Sequence, residues 1–165
     1  MTSRVAMPGL RSPSASFDQP FEMLAACHER VLRSLGLLQR LQTYLQDKGV
    51  DDSARQAARD VLRYFDVAAP LHHADEELHV FPALLQPGSA PELVAVVQQL
   101  QQDHVVMAAS WAQARQPLQA LAECVQSHFL PADVDALQYF ADLYAVHLQR
   151  EDTLVYPAAQ ALLDA

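Results

Sequence analysis

His72-His73-Ala74-Asp75-Glu76-Glu77-Leu78-His79-Val80-Phe81-Pro82 and His147-Leu148-Gln149-Arg150-Glu151-Asp152-Thr153-Leu154-Val155-Tyr156-Pro157 are two copies of one pattern: a histidine, a glutamate four residues later, then an aromatic-proline pair. Four helical residues carry a side chain about 40° past one full turn. Each His and its Glu therefore share a face and can grip one ion. Imidazole and carboxylate, delivered twice by two helices, form the donor set of a dinuclear metal site inside a helical bundle.

The chain around these motifs reads as four helical segments, roughly 20–47, 52–86, 91–127 and 132–163. Lys48-Gly49 and Pro87-Gly88 are stop signals, and Asp51, Pro91, Pro131 and Asp133 are start signals. Pro70, Pro82, Pro117 and Pro157 are each expected to kink a helix or begin a new one. Residues 1–19 are rich in Ser and Pro, lack any period, and read as a mobile N-terminal tail ahead of a single domain over 20–165. Apolar residues recur by threes and fours in each segment. They include Leu24, Val31 and Leu38 in the first, and Phe65, Ala69, His79 and Ala83 in the second. The third has Leu100, Met107, Trp111 and Val125, and the fourth has Phe140, Tyr144 and Leu154. Short connections make neighbours antiparallel, which predicts an all-α, up-down-up-down four-helix bundle.

Composition agrees and sets limits. A chain of 165 residues with four glycines is long enough for one buried core and rich in helix formers. The net charge of −9 argues against nucleic acid and anionic membrane surfaces as partners. No apolar run reaches membrane-spanning length, the N-terminus lacks a signal-peptide core, and Cys27 and Cys124 form no disulfide framework, so a cytoplasmic protein with reduced thiols is expected.

Six polar residues stand where the seams call for Leu or Val: His28, His72, Glu76, His104, His147 and Glu151. A buried unpaired carboxylate costs several kcal/mol, and the seams hold no Arg or Lys to pair with the two glutamates. Height matters too. His28 and His104 lie about 8 and 13 residues after the starts of their helices, and the two His-Glu pairs lie roughly 10–16 residues before the ends of theirs. In an antiparallel bundle these places meet near one end. If both glutamates bridge, four histidines divide two to an ion, and a bridging oxygen adds a fifth ligand while leaving a position open. Such nitrogen-oxygen sites suit iron, with manganese or zinc as alternatives, better than a closed structural zinc site.

With these residues in view, the chain resembles the hemerythrin-like HHE cation-binding domain over roughly residues 20–163. The resemblance rests on His28, the 72–82 stretch, Asp103-His104 and the 147–157 stretch. It implies a non-haem di-iron centre bridged by Glu76 and Glu151, with His28, His72, His104 and His147 as ligands. It implies a small diatomic ligand, O2 or NO, and family roles in oxygen binding or sensing, nitric oxide handling, iron storage and iron-centre repair. Oxygen-carrying members have a further His one turn after the helix-three ligand, where this chain has Ala108. The pattern is closer to a four-histidine subgroup associated with nitrosative stress and iron-centre repair. That subgroup usually carries a Cys-containing N-terminal domain, and residues 1–19 contain no Cys.

Other residues near the motifs keep more than one role. His73 is a seventh ligand, an alternate ligand or a solvated neighbour. His79 is expected in the core or just behind the ligands, and His128 in a loop. Glu77, Asp75 and Asp152 form an acidic face from which one group could accept a proton from a ligating imidazole. Tyr144 and Cys27 read as packing residues, Tyr144 with an option to donate to a bound oxygen species and Cys27 with a redox option. Three functional readings stay open: a ligand-binding or sensing protein that signals to a protein partner, an iron storage, delivery or repair protein, and a di-iron peroxidase or oxidase. A metal-free structural bundle is the reading that six buried polar residues disfavour.

Overall fold

The computed structural model describes residues 20–163 and folds them into an all-α bundle of four rods. The tail expected over 1–19 lies outside the described residues. The first rod is α1 (Pro20–Lys48). The second comprises α2 (Asp52–Arg63), α3 (Ala69–Asp75) and α4 (Phe81–Leu84), joined by π-helical turns at Tyr64–Ala68 and Glu76–Val80. The third is α5 (Pro91–Ala122). The fourth is α6 (Pro131–Arg150), a π turn at Glu151–Val155, and α7 (Tyr156–Leu163).

Cross-rod bonds run in opposite directions along neighbouring rods. Cys27 and Tyr44 on α1 meet Tyr64 and Asp51, in reversed order. Arg59, Asp66 and Glu77 on the second rod meet Ala122, Arg115 and His104 on α5. His104 and Trp111 in turn meet His147 and Phe140 on the fourth rod. Contacts between α1 and α6 close the ring. The turns have ordinary causes. Gly49 adopts φ 78° beyond α1, and Asp51 caps α2 by accepting the Ala54 N–H at 2.8 Å.

The π turns have a common origin. Each ends two residues before a proline: Pro70, Pro82 or Pro157. Proline offers no N–H and its ring crowds the carbonyl four residues back, so the preceding turn widens. The residue just before each proline then donates across five residues, Ala69 to Tyr64, Phe81 to Glu76 and Tyr156 to Glu151. Three prolines thus behave as expected. Pro117 does not: α5 runs through it without a break, with the ring buried in the core.

Each widened turn also inserts an extra residue into the seam. Beyond Glu76 and Glu151 the buried positions move on by one, to Val80, Leu84 and Val155, and His79, Ala83 and Leu154 are exposed. The expectations that these three face the core fail for that reason, because an even 3.6-residue period was carried through a turn that does not keep it. The third helix also stops earlier than 127. Cys124 takes the left-handed conformation at φ 61°, and the N–H groups of Cys124 and Val125 bond the carbonyls of Leu121 and Ala120 in a Schellman closure. Val125, expected in the seam, is therefore exposed.

Two apolar clusters fill the bundle. The larger contains Leu38, Val61, Phe65, Met107, Leu118, Phe140 and Tyr144. The smaller, at the end where α1 begins, contains Leu24, Phe81, Leu84, Leu100, Val155 and Tyr156. The polar intrusions lie in the layer between them.

Candidate metal centre

All six expected residues are buried and brought together: His28, His72, Glu76, His104, His147 and Glu151. Their candidate ligand atoms fall into two groups, each lying within 4.8 Å of one another. One is His28, His72, Glu76 and Glu151, and the other is His104, His147, Glu76 and Glu151. The glutamates belong to both groups. Glu151 Oε2 lies 3.1 Å from His28 Nε2, and its Oε1 lies 2.9 Å from His147 Nε2. Glu76 reaches His72 Nε2 at 3.5 Å and His104 Nε2 at 3.4 Å.

The hydrogen bonds say which way the imidazole lone pairs face. His28 Nδ1 lies 2.8 Å from Asp152 Oδ1, and His104 Nδ1 lies 2.9 Å from Glu77 Oε1. A carboxylate accepts a hydrogen bond from Nδ1–H, which keeps the proton there and leaves each Nε2 with its lone pair turned into the cluster. His104 Nε2 then faces His147 Nε2 at 3.1 Å. Both nitrogens of His72, Glu76 Oε2 and both oxygens of Glu151 are buried without a hydrogen-bond partner. Native proteins rarely orphan so many polar atoms in one place, so the donor set fits a pair of cations.

The two motifs build their halves alike. The acidic residue after each glutamate, Glu77 or Asp152, holds the single histidine of a neighbouring rod. The aromatic before each proline stacks on that same histidine: Phe81 on His104 with centroids 5.7 Å apart, and Tyr156 on His28 at 5.1 Å. Tyr156 adds something phenylalanine cannot. Its hydroxyl bonds a Glu76 oxygen and lies 2.9 Å from His28 Nε2. The sequence reading left Tyr156 in the motif as an aromatic only. The signal was the difference between Phe-Pro and Tyr-Pro.

Burial and charge set the protonation pattern. Burial pushes the Glu76 carboxyl up to about 7, with the Glu151 charge adding to it. Burial acts on Glu151 in the same direction, but the imidazoles of His147 and His28 overcome it and hold that carboxyl below the usual range. His28 and His104 are raised despite burial, by Glu151 and Glu76 respectively. Burial lowers His72 to about 4, with the His28 charge adding to it. The Tyr156 phenol is pushed far up by burial and by the two glutamates.

The remaining candidates separate cleanly. His73 lies beside the second group, its ring stacked on His104 with centroids 4.0 Å apart, and burial drives it down to about 2. Tyr144 is buried among Phe65 and Phe140. His79, Asp75 and His128 are exposed, and Cys27 is half-buried outside the candidate groups.

A family model, the hemerythrin HHE cation binding domain, matches residues 19–159. The chain belongs to the hemerythrin HHE family. It is also similar to a Haemophilus influenzae protein (strain ATCC 51907 / DSM 11121 / KW20 / Rd) described as uncharacterized. The two are 31% identical over 140 residues, which cover 85% of this chain and 78% of the relative. For this HHE domain, then, helical bundle, buried His/Glu cluster and a cation-binding family agree. No helix among the described residues is long and apolar enough to cross a membrane.

A cavity of about 320 Å³ abuts the second group. Its wall is largely apolar, including Phe65, Met107, Ala108, Trp111 and Phe140, and His73, Glu77 and His104 border it. Ala108 lies one helical turn after His104, so its small side chain leaves this flank of the centre uncovered.

Proposed function

We propose that this HHE domain is a non-haem di-iron protein that binds or senses a small diatomic species, dioxygen or nitric oxide, in an oxidative or nitrosative stress response. Glu76 and Glu151 bridge the two ions. His28 and His72 bind one, His104 and His147 the other, and a bridging oxygen completes the core. The observation that carries this is that two tetrads of candidate donors share both glutamates, while both His72 nitrogens, Glu76 Oε2 and both Glu151 oxygens are buried without a hydrogen-bond partner.

Iron bound there supplies reducing equivalents and an exchangeable coordination position. The protein's part is positional. Asp152 and Glu77 fix the tautomers of His28 and His104. Tyr156 orients Glu76 and holds its proton in the buried layer. The two apolar clusters limit bulk water to the flank at Ala108. A reducing, cytoplasmic setting suits Cys27 and Cys124, which are both unpaired. Any output passes to a protein partner or, on the alternative reading, as delivered iron.

The test is the metal content and visible spectrum of aerobically purified protein. About two iron ions per chain are expected, with an oxo-bridged band that responds to azide or nitric oxide. Glu76→Ala and Glu151→Ala should each cut the content towards one or none. Unchanged stoichiometry in both variants would falsify the bridging assignment. Iron surrendered quickly to a chelator would favour storage, delivery or repair instead, and multiple turnover with peroxide would favour an enzyme.

A further inference from the structure

The two halves of the centre share one pattern, and two places where they depart from it, His73 and Ala108, border the cavity. The residue after the first motif's histidine is His73. Its counterpart in the second motif is Leu148, buried in the larger apolar cluster. His73 instead borders the cavity beside Ala108 and His104. It makes no hydrogen bond to any described residue, yet one of its ring nitrogens lies within 4.8 Å of a ring nitrogen of His104 and of His147.

Proximity alone suggests a third imidazole on that ion, but the ring geometry argues otherwise. The His73 and His104 rings are inclined by only 13° with centroids 4.0 Å apart. Imidazole binds a cation in its own ring plane, along the nitrogen lone pair. Stacked rings in contact have planes roughly 3.5 Å apart, the ordinary separation of touching carbons. A cation in the plane of His104 therefore lies well outside the plane of His73. His73 cannot share that ion without turning off the ring it stacks on. In this position it would stand beside an ion held by His104, and both rings border the cavity. Either tautomer of a neutral imidazole carries one N–H, and here that donor has no partner in the protein.

We propose that His73 is a hydrogen-bond donor to a small ligand held on the His104–His147 side of the centre, rather than a metal ligand, and that the cavity at Ala108 is that ligand's way in. The ligand class is a diatomic or small anion with an acceptor atom turned outward, such as a dioxygen-derived anion, nitric oxide or azide. This rests on the di-iron reading. It adds that the two ions are inequivalent, with exogenous ligands taken by the His104–His147 ion.

Azide binding to the loaded, oxidised protein tests it, comparing wild type with His73→Leu and His73→Gln. Leucine removes the donor while filling similar space, and glutamine keeps a donor. Iron content and the azide-free spectrum should be unchanged in both variants. Azide affinity should fall about tenfold in His73→Leu, the worth of one hydrogen bond to a charged acceptor, and largely return in His73→Gln. The iron–azide stretch should shift between H2O and D2O in wild type and not in His73→Leu. Loss of iron or a changed azide-free spectrum in His73→Leu would make His73 a ligand and overturn the proposal. Equal azide affinity with no solvent-isotope difference would overturn it as well. A wild-type protein without two irons would instead sink the underlying di-iron reading, so the two failures are distinguishable.

Discussion

Replacing Asp152 by Asn or Glu77 by Gln removes a charge that touches no metal, yet it should weaken metal binding. Each carboxylate accepts a hydrogen bond from the Nδ1–H of a histidine, at 2.8 Å for His28 and 2.9 Å for His104. That contact fixes the tautomer, aims Nε2 at the cluster and makes it a stronger donor. Partners of this kind are typically worth about 10- to 100-fold in metal affinity, or roughly 1.4–2.8 kcal/mol. Exposure ranks the two. The Asp152 side chain is 51% exposed, so water screens it and about tenfold is expected. Glu77 is 32% exposed and held from its other oxygen by Gln101 at 2.8 Å, so about thirtyfold is expected. Asp75 is exposed on the same turn without a bond to any ligand, so Asp75→Asn is the control for net charge. Competition against a coloured chelator with cobalt(II), which avoids iron redox chemistry, reads the affinities. The reasoning fails if both variants stay within twofold of wild type, or if Asp75→Asn costs as much as either.

Three other predictions test different layers. Cys124→Gly should stabilise the protein by about 0.5–1 kcal/mol in urea unfolding, because glycine occupies the φ 61° position that closes α5 without Cβ strain; a loss of stability would mean the thiol contributes a contact the Schellman turn does not account for. His72 should make the metal-free protein acid-sensitive: its folded value of about 4 lies below its ordinary 6.5, so the unfolded chain binds a proton that the fold refuses. That contribution is complete above pH 6.5 and is lost as pH falls towards 4, at about 1.4 kcal/mol per unit. His73 is lowered further and adds to the same limb, so His72→Leu should reduce the slope without abolishing it, and an unchanged slope would count against the burial argument. Ala108→His should place an imidazole at the cavity flank of the second ion and slow autoxidation of the reduced protein in air; a faster rate would show that the open flank is not what admits the oxidant.

Much of the bundle and of the six-residue cluster was legible because both depend on periodicity. Polar residues at core positions are conspicuous against a Leu and Val seam, and antiparallel packing turns their places along the chain into a common height. What was not legible depends on departures from the period. A proline announces a disturbed turn, but not whether the helix will kink, widen or absorb it. Pro82 and Pro157 widen the turn, and Pro117 does not. The mispositioned His79, Ala83 and Leu154 follow from that one ambiguity. Orientation around the helix also decided the roles of the charged neighbours. Glu77 and Asp152 were placed on an acidic face with a minority role behind the imidazoles. Both take that role, because the residue following each glutamate is turned about 100° towards the adjoining rod and its single histidine.

The π turns bear on function as well as register. Two of the three widened turns begin at a bridging candidate, Glu76 or Glu151, and consume that residue's own carbonyl in the five-residue bond from the aromatic before the proline. The same aromatic stacks on a candidate ligand of a neighbouring rod. One local device therefore sets the glutamate, advances the seam by one residue and brings Phe81 or Tyr156 over the right histidine. Had the helices continued with four-residue bonds, the aromatic would lie about 100° away from that histidine. At Pro82 and Pro157 the helix does not continue in that way, which accounts for a pattern that extends from His through Glu to an aromatic-proline pair. The repeat makes the two halves alike, and it leaves side-chain chemistry at His73, Tyr156 and Ala108 to make them differ.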